Sequence, residues 1–143
     1  MAKVKNNILI IDDEPELTEV LKEVLSGDDR AMYVAANGLE GLRVLEFIDI
    51  DLVISDIRMP DMNGVEFMET LYKKLRKHTP IILVSAYGDD ILNANPWKDC
   101  VFGFLAKPLN IDELDKTAEK AIANGREHVK AAIEKVDPSE SKS

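Results

Sequence analysis

Apolar residues run without interruption through 8–11, 52–54 and 81–84, the pattern of strands covered on both faces of a parallel sheet. Two weaker runs, 30–35 and 101–105, are expected as strands nearer the sheet edges. Between them the period becomes helical. Leu17, Val20, Leu21, Val24 and Leu25 make one stripe, and Leu39, Leu42, Leu45, Phe47 and Ile48 support a second. Val65, Met68, Leu71, Tyr72 and Leu75 make a third. Strands alternating with helices across short turns at Gly27, Asn37-Gly38 and Thr79-Pro80 predict right-handed crossovers. The expected architecture is α/β, an open three-layer sandwich of five βα units.

Two segments depart from this rhythm. After the fourth strand the chain reads AYGDDILNANPWKDC, with few apolar positions, and Pro96 ends or kinks a helix there. A short or mobile fourth helix is expected. The last helix shows the reverse: Ile111, Leu114, Ala118, Ile122, Val129, Ile133 and Val136 keep one stripe running far down the chain, with Asn124-Gly125 as a natural stop in its middle. The expected division is a domain over 1–124, with 125–143 extending the last helix or serving as a linker. After Asp137-Pro138 the residues are polar, the signature of a disordered tail.

Size and charge narrow the function. With 143 residues and 45% hydrophobic content, the chain suits one domain with its own core. Eighteen basic against 27 acidic residues give a net charge of −9, which argues against direct contact with nucleic acid or an anionic membrane. The single cysteine, Cys100, closes no internal disulfide, and the apolar run at 8–11 is too short for a signal or membrane segment. A soluble cytoplasmic protein is the expectation.

In an open α/β sheet, ligands bind beyond the carboxyl ends of the strands. There the first strand meets Asp12-Asp13-Glu14, the third Asp56, the fourth Ser85 and the fifth Lys107-Pro108. If the first and third strands are neighbours, several carboxylates crowd around one lysine, an arrangement that raises a pKa or demands a cation. Oxygen ligands suit Mg²⁺ better than Zn²⁺. Structural roles compete with these: Asp13 as helix N-cap with Pro15 in the first turn, Asp56 as a loop residue, Asn63 as a cap for the third helix with Gly64 completing a turn. Each residue alone is explained that way. Four successive strand ends carrying an acid pair, an acid, a hydroxyl and a lysine are not.

The stretches ILIIDDEPEL, DLVISDIRMPDMNGVEF, PIILVSAYGD and FLAKPLNIDEL, in that order and spacing over about residues 6–124, resemble the receiver domain of two-component response regulators. The resemblance implies a flavodoxin-like receiver fold, a five-stranded parallel sheet of order 2-1-3-4-5. It implies that Asp56 is the phosphoacceptor, taking its phosphoryl group from a sensor histidine kinase, a phosphotransfer protein or a small phosphodonor. Asp12, Asp13, Asp56 and the Arg58 backbone carbonyl are then the Mg²⁺ site, with Asp12 acting through water. Ser85 and Lys107 contact the phosphoryl oxygens, Ser85 and Phe104 form the switch, and the Lys107-Pro108 bond is cis. The signal leaves through the face of the fourth helix, fifth strand and fifth helix, toward an output domain or downstream protein. Such a chain is a regulator that assists its own phosphoryl transfer and dephosphorylation rather than an enzyme. A homodimer through the last helix is a further expectation.

Several residues depart from the family pattern. Phe104 lacks the hydroxyl of the usual tyrosine, and Cys100-Val101-Phe102 replaces smaller residues before the last strand. Arg58 and Tyr87 are expected to overhang the site, His78 and His128 to be exposed, Trp97 and Phe102 to pack, and Met59 and Met62 to fill their loop. Among rivals, aspartate-nucleophile phosphohydrolases use a second acid two residues after the first, where this chain has Arg58. A phosphorylation-independent module has no need of the full acid, hydroxyl and lysine set. A flavin-binding domain needs a phosphate-cradling Gly/Ser/Thr loop after the first strand, and this chain has none there.

Overall fold

The computed structural model describes residues 5–86 and 91–139. Its strands are β1 (Asn6–Ile11), β2 (Arg30–Ala35), β3 (Leu52–Asp56), β4 (Ile81–Ser85) and β5 (Gly103–Ala106), with helices α1 (Pro15–Leu25), α2 (Gly38–Phe47), α3 (Gly64–Glu69) and α4 (Ile111–Val136). All four strand pairings are parallel and the sheet order is β2-β1-β3-β4-β5. This is the expected order. β3 and β4 are buried at every position, as their unbroken apolar runs require, while β2 and β5 lie at the edges.

Alternate strand residues feed two cores. Leu9, Ile11, Val53 and Leu83 pack with Phe67, Met68, Leu71 and Tyr72 on one face of the sheet. Ile8, Ile10, Ile54 and Val84 pack with Leu21, Leu25, Leu114 and Ala118 on the other. No helix among the described residues is long and apolar enough to cross a membrane.

Three elements differ from the sequence pattern. The stripe from Val65 to Leu75 predicts one regular helix, but after Glu69 α3 widens into a π-helical turn, Thr70–Lys74, where the Leu75 N–H reaches the Thr70 carbonyl at 3.0 Å. Widening rotates the stripe, and Leu75 ends 44% exposed. The fourth crossover also departs from the pattern: between β4 and β5 the described residues form turns and one short 3₁₀ turn, Lys98–Cys100, with no α-helix among them. Pro96 has the expected effect, and buried Leu92, Trp97, Cys100 and Val101 anchor the crossover instead.

The third difference is α4, which runs unbroken through Asn124-Gly125. Gly125 is there for close approach, since a Cβ would lie 2.5 Å from the Pro80 Cβ just before β4. This contact lets one helix serve both cores. Its first turns bury Leu114, Ala118 and Ala121 on the α1 face, and its last bury Val129 and Ile133 with Tyr72, Trp97 and Cys100 on the other. Arg126 fastens the crossing, donating to the Ile50 carbonyl at 2.9 Å and pairing with Asp49 at 3.3 Å and Asp51 at 3.5 Å. His128 is exposed, its Nε2 lying 3.0 Å from the Asp99 carbonyl, and Phe102 meets its ring edge-on. His78 is partly buried rather than exposed.

Candidate functional site

The sheet order reverses between β1 and β3, opening a crevice at their carboxyl ends. Parallel pairing sets Ile11 of β1 beside Ser55 of β3, and backbone hydrogen bonds tie these ends to the neighbouring strands. The Asp12 N–H donates to the Ala35 carbonyl at 3.1 Å, the Ile57 N–H to Val84 at 2.9 Å and the Lys107 N–H to Ser85 at 2.8 Å. Four strand ends therefore face one space as a rigid unit.

α3 closes the third loop. Asn63 and Glu66 form a reciprocal capping box, as the Asn63 cap reading expects. Gly64 does more than complete a turn: its N–H donates to the Ile57 carbonyl at 2.8 Å, and a Cβ would sit 2.8 Å from the Asp56 carbonyl oxygen. The helix start is thus pressed against the backbone of Asp56. No spacing rule announces that approach. Met59 and Met62 pack against the adjoining core, the loop-filling role expected of them.

Asp12 and Asp56 are buried and Asp13 is exposed, and the three offer carboxylate oxygens all within 4.8 Å of one another. Lys107 Nζ lies 3.1 Å from Asp56 Oδ2, 3.6 Å from Glu14 Oε1 and 3.9 Å from Asp12 Oδ2. The remaining oxygens are turned to backbone: Asp12 Oδ1 accepts from the Glu14 N–H at 2.9 Å and Asp56 Oδ1 from the Arg58 N–H at 3.3 Å. Asp13 is not the N-cap of α1. Glu14 holds that position without a side-chain cap bond, Pro15 follows it, and the Asp13 carboxylate is left to the acid cluster.

Burial pushes the Asp12 carboxyl above its usual range, and Asp56 and Glu14 add to that push against the Glu14 N–H and Lys107. For Lys107 burial acts downward, but the hydrogen bond to Asp56 and the charges of Asp56, Asp12 and Glu14 outweigh it and raise the pKa. Three carboxylates, or four with Glu14, face one ammonium. Such an all-oxygen, electron-rich and partly open donor set fits a hard divalent cation such as Mg²⁺.

The other expected residues fall around this cluster. Ser85 ends β4 fully buried, its hydroxyl donating to the Ala86 carbonyl. Phe104 stands on β5 with 44% of its surface exposed, directed away from both cores. Arg58 is exposed on the loop after Asp56, and the Lys107-Pro108 bond is cis as expected. Tyr87 lies outside the described residues. Glu14 is the member of the cluster that reasoning by motif passed over, though it adjoins the acid pair in sequence.

Residues 8–119 match the family model of the response regulator receiver domain. The transcriptional regulatory protein GlrR of Escherichia coli (strain K12) is 34% identical over 122 residues, which is 85% of this chain and 27% of GlrR. The sensor kinase CckA of Brucella abortus is 32% identical over 120 residues, 80% of this chain and 12% of CckA. The chain thus spans about a quarter, or an eighth, of these relatives. Among solved structures, the response regulator TrrA of Thermotoga maritima, in complex with Mg(2+)-BeF, superposes with a TM-score of 0.71 at 34% identity, covering 81% of this chain and 98% of that one. Fold, strand-end chemistry and these matches agree: the chain belongs to the response regulator receiver domain family.

Proposed function

We propose that this chain is a phosphorylation-driven signalling switch whose phosphoacceptor is Asp56. The observation that carries the reading is the buried Asp56 carboxylate, held 3.1 Å from Lys107 and beside Asp12 and Asp13 at the mouth of the crevice. An Asp56 oxygen attacks the phosphorus of a kinase's phosphohistidine. The new O–P bond forms as the P–N bond breaks, and the imidazole nitrogen leaves with its electron pair and takes up a proton. Such transfer needs alignment and neutralisation of the equatorial oxygens more than acid–base chemistry.

Lys107 supplies one neutralising charge from beside Asp56, and Ser85 a hydroxyl from the next strand. To reach a phosphoryl oxygen, Ser85 must exchange its bond to the Ala86 carbonyl, a local change in hydrogen bonding able to bias a two-state element. Phe104, half exposed on the neighbouring strand, is the aromatic that moves with it. Asp12, Asp13, Asp56 and the Arg58 carbonyl are the residues that would hold Mg²⁺, which when bound supplies further charge neutralisation at the transferring group. The chain acts as a regulator that assists its own phosphoryl transfer and hydrolysis, with a histidine kinase or phosphotransfer protein upstream. Its output, by an attached domain or a separate protein, uses the face of the fourth crossover, β5 and α4, where the described crossover residues present turns in place of the expected fourth helix. The phosphohydrolase alternative needs an acid where Arg58 stands.

The test is intact mass after incubation with acetyl phosphate, with and without Mg²⁺, on wild type and Asp56→Ala. A Mg²⁺-dependent gain of one phosphoryl group, absent in Asp56→Ala, is expected. No adduct on a folded protein that also fails to trap beryllofluoride would overturn the reading.

A further inference from the structure

The fourth crossover and the last helix enclose a groove of about 470 Å³. Its floor is apolar and mostly small: Val101 from the crossover, and Ala131, Ala132 and Val136 from α4. Lys98 and Lys135 flank it, both exposed and neither in an ion pair among the described residues. Among the described residues that line it, Asp99 is the one acid. The α4 wall lies beyond residue 119, where the family match ends. The groove joins residues inside that match, 98–101, to a helical wall outside it, and shares no residue with the phosphoacceptor site.

We propose that this groove docks a protein partner through an acidic amphipathic helix. Alanines on the floor let a helix backbone come close, and Val101 and Val136 offer contacts for its apolar stripe, the helix-in-groove mode. Charge selects the sign of the partner. The chain as a whole carries −9, which repels acidic segments, yet at physiological salt charges farther than about 8 Å are largely screened, so at the groove two lysines against Asp99 set the sign. An acidic rim on the incoming helix satisfies both; a basic one satisfies neither. Binding does not depend on Asp56, so this proposal and the phosphoacceptor reading fail separately.

The experiment uses the full chain and a fluorescein-labelled amphipathic peptide of about 14 residues, four turns, with Leu and Ala on one stripe and Glu on its flanks. Its counterpart carries Lys for every Glu. Anisotropy is expected to show the Glu peptide binding about tenfold tighter, a preference lost in Lys98→Glu/Lys135→Glu. Amide shifts in the wild type should fall on residues 98–101 and 128–136. Ala131→Glu, on an exposed helical position, should block the Glu peptide while leaving the far-ultraviolet spectrum unchanged. Equal affinity for the two peptides, or shifts elsewhere, would overturn the proposal. So would self-association through this face in sedimentation, or lysine-dependent capture by phosphatidylserine vesicles without binding of the Glu peptide.

Discussion

The two ends of the sheet treat charge in opposite ways. At the carboxyl ends, Asp12, Glu14 and Asp56 gather around Lys107 with Asp13 beside them, and burial holds Asp12 above its normal range. At the amino ends, Arg126 answers Asp49, Asp51 and the Ile50 carbonyl, and Asp51 also receives the Asn7 N–H at 2.7 Å. One end stores unfavourable electrostatics for a ligand to relieve; the other is closed and packed. The contrast teaches that stability and chemistry are separated along the strand axis. Substitutions at the amino ends should lower stability and leave the site's chemistry intact, while those at the carboxyl ends should do the reverse.

The strongest test lies at the packed end. In Gly125→Ala, the added methyl must enter space taken by the Pro80 ring, whose Cβ and Cγ lie 2.5 and 2.6 Å from the ideal position. Helix propensity alone favours alanine by about 1 kcal/mol, but overpacking against a rigid ring works against it by about 1–3 kcal/mol. A net loss of up to about 2 kcal/mol in urea unfolding is expected. Asn124→Ala, one residue away and exposed, should gain a few tenths of a kcal/mol from propensity alone. Equal gains at both positions would mean that α4 does not cross against Pro80.

That crossing was also where the sequence was least legible. Continuous apolar runs identify β3 and β4 because both faces of a parallel sheet demand them, and the acids, hydroxyl and lysine at the strand ends are visible because their types are rare together. Pro96 likewise marks the stretch of the fourth crossover whose described residues form turns rather than an α-helix. Gly125 looked like a helix stop because its reason, Pro80, is distant in sequence and meets it only in the folded chain. Gly64 hides in the same way, its approach to the Asp56 carbonyl resembling an ordinary Asn-Gly turn. Close backbone approach leaves no period to read. The widened turn after α3 and the passage of α4 from one core to the other are further products of tertiary packing that a single helical stripe cannot express.

At the charged end, Asp12→Asn removes an ionised carboxylate from a buried position. The sign follows from Asp12's raised pKa. Above 3.8 and below the raised value, the folded chain holds the proton more tightly than the unfolded one, so stability falls as pH rises through that window. At neutral pH the full penalty is present, and Asp12→Asn should raise ion-free stability by about 1 kcal/mol. Lys107 contributes nothing to that slope, because its raised pKa keeps its stabilisation intact below 10.5 and releases it only at higher pH. Adding Mg²⁺ should stabilise the wild type through linkage and flatten its acid-side slope, with a weaker response in Asp12→Asn. A variant less stable than wild type without Mg²⁺ would show that Asp12 is structural, on the same footing as the charges at the other end.

The smallest expected effect separates pairing from packing at the amino ends. Arg126 is half exposed, so its ion pairs with Asp49 and Asp51 are screened and contribute little. Its bond to the Ile50 carbonyl is shielded, since Ile50 itself is 1% exposed. Arg126→Lys keeps the charge but not the planar fork that reaches carbonyl and carboxylates together. If the carbonyl bond carries the latch, Arg126→Lys should lose about as much as Arg126→Ala, roughly 1 kcal/mol, and salt should leave both differences unchanged. If charge carries it, lysine should retain most of the stability, and about 0.5 M NaCl should erase the alanine effect, because screening there acts within a few ångströms. Neither variant should alter Mg²⁺ binding or phosphoryl uptake at the far end of the strands. A shift in either would tie the two ends together and undo the separation.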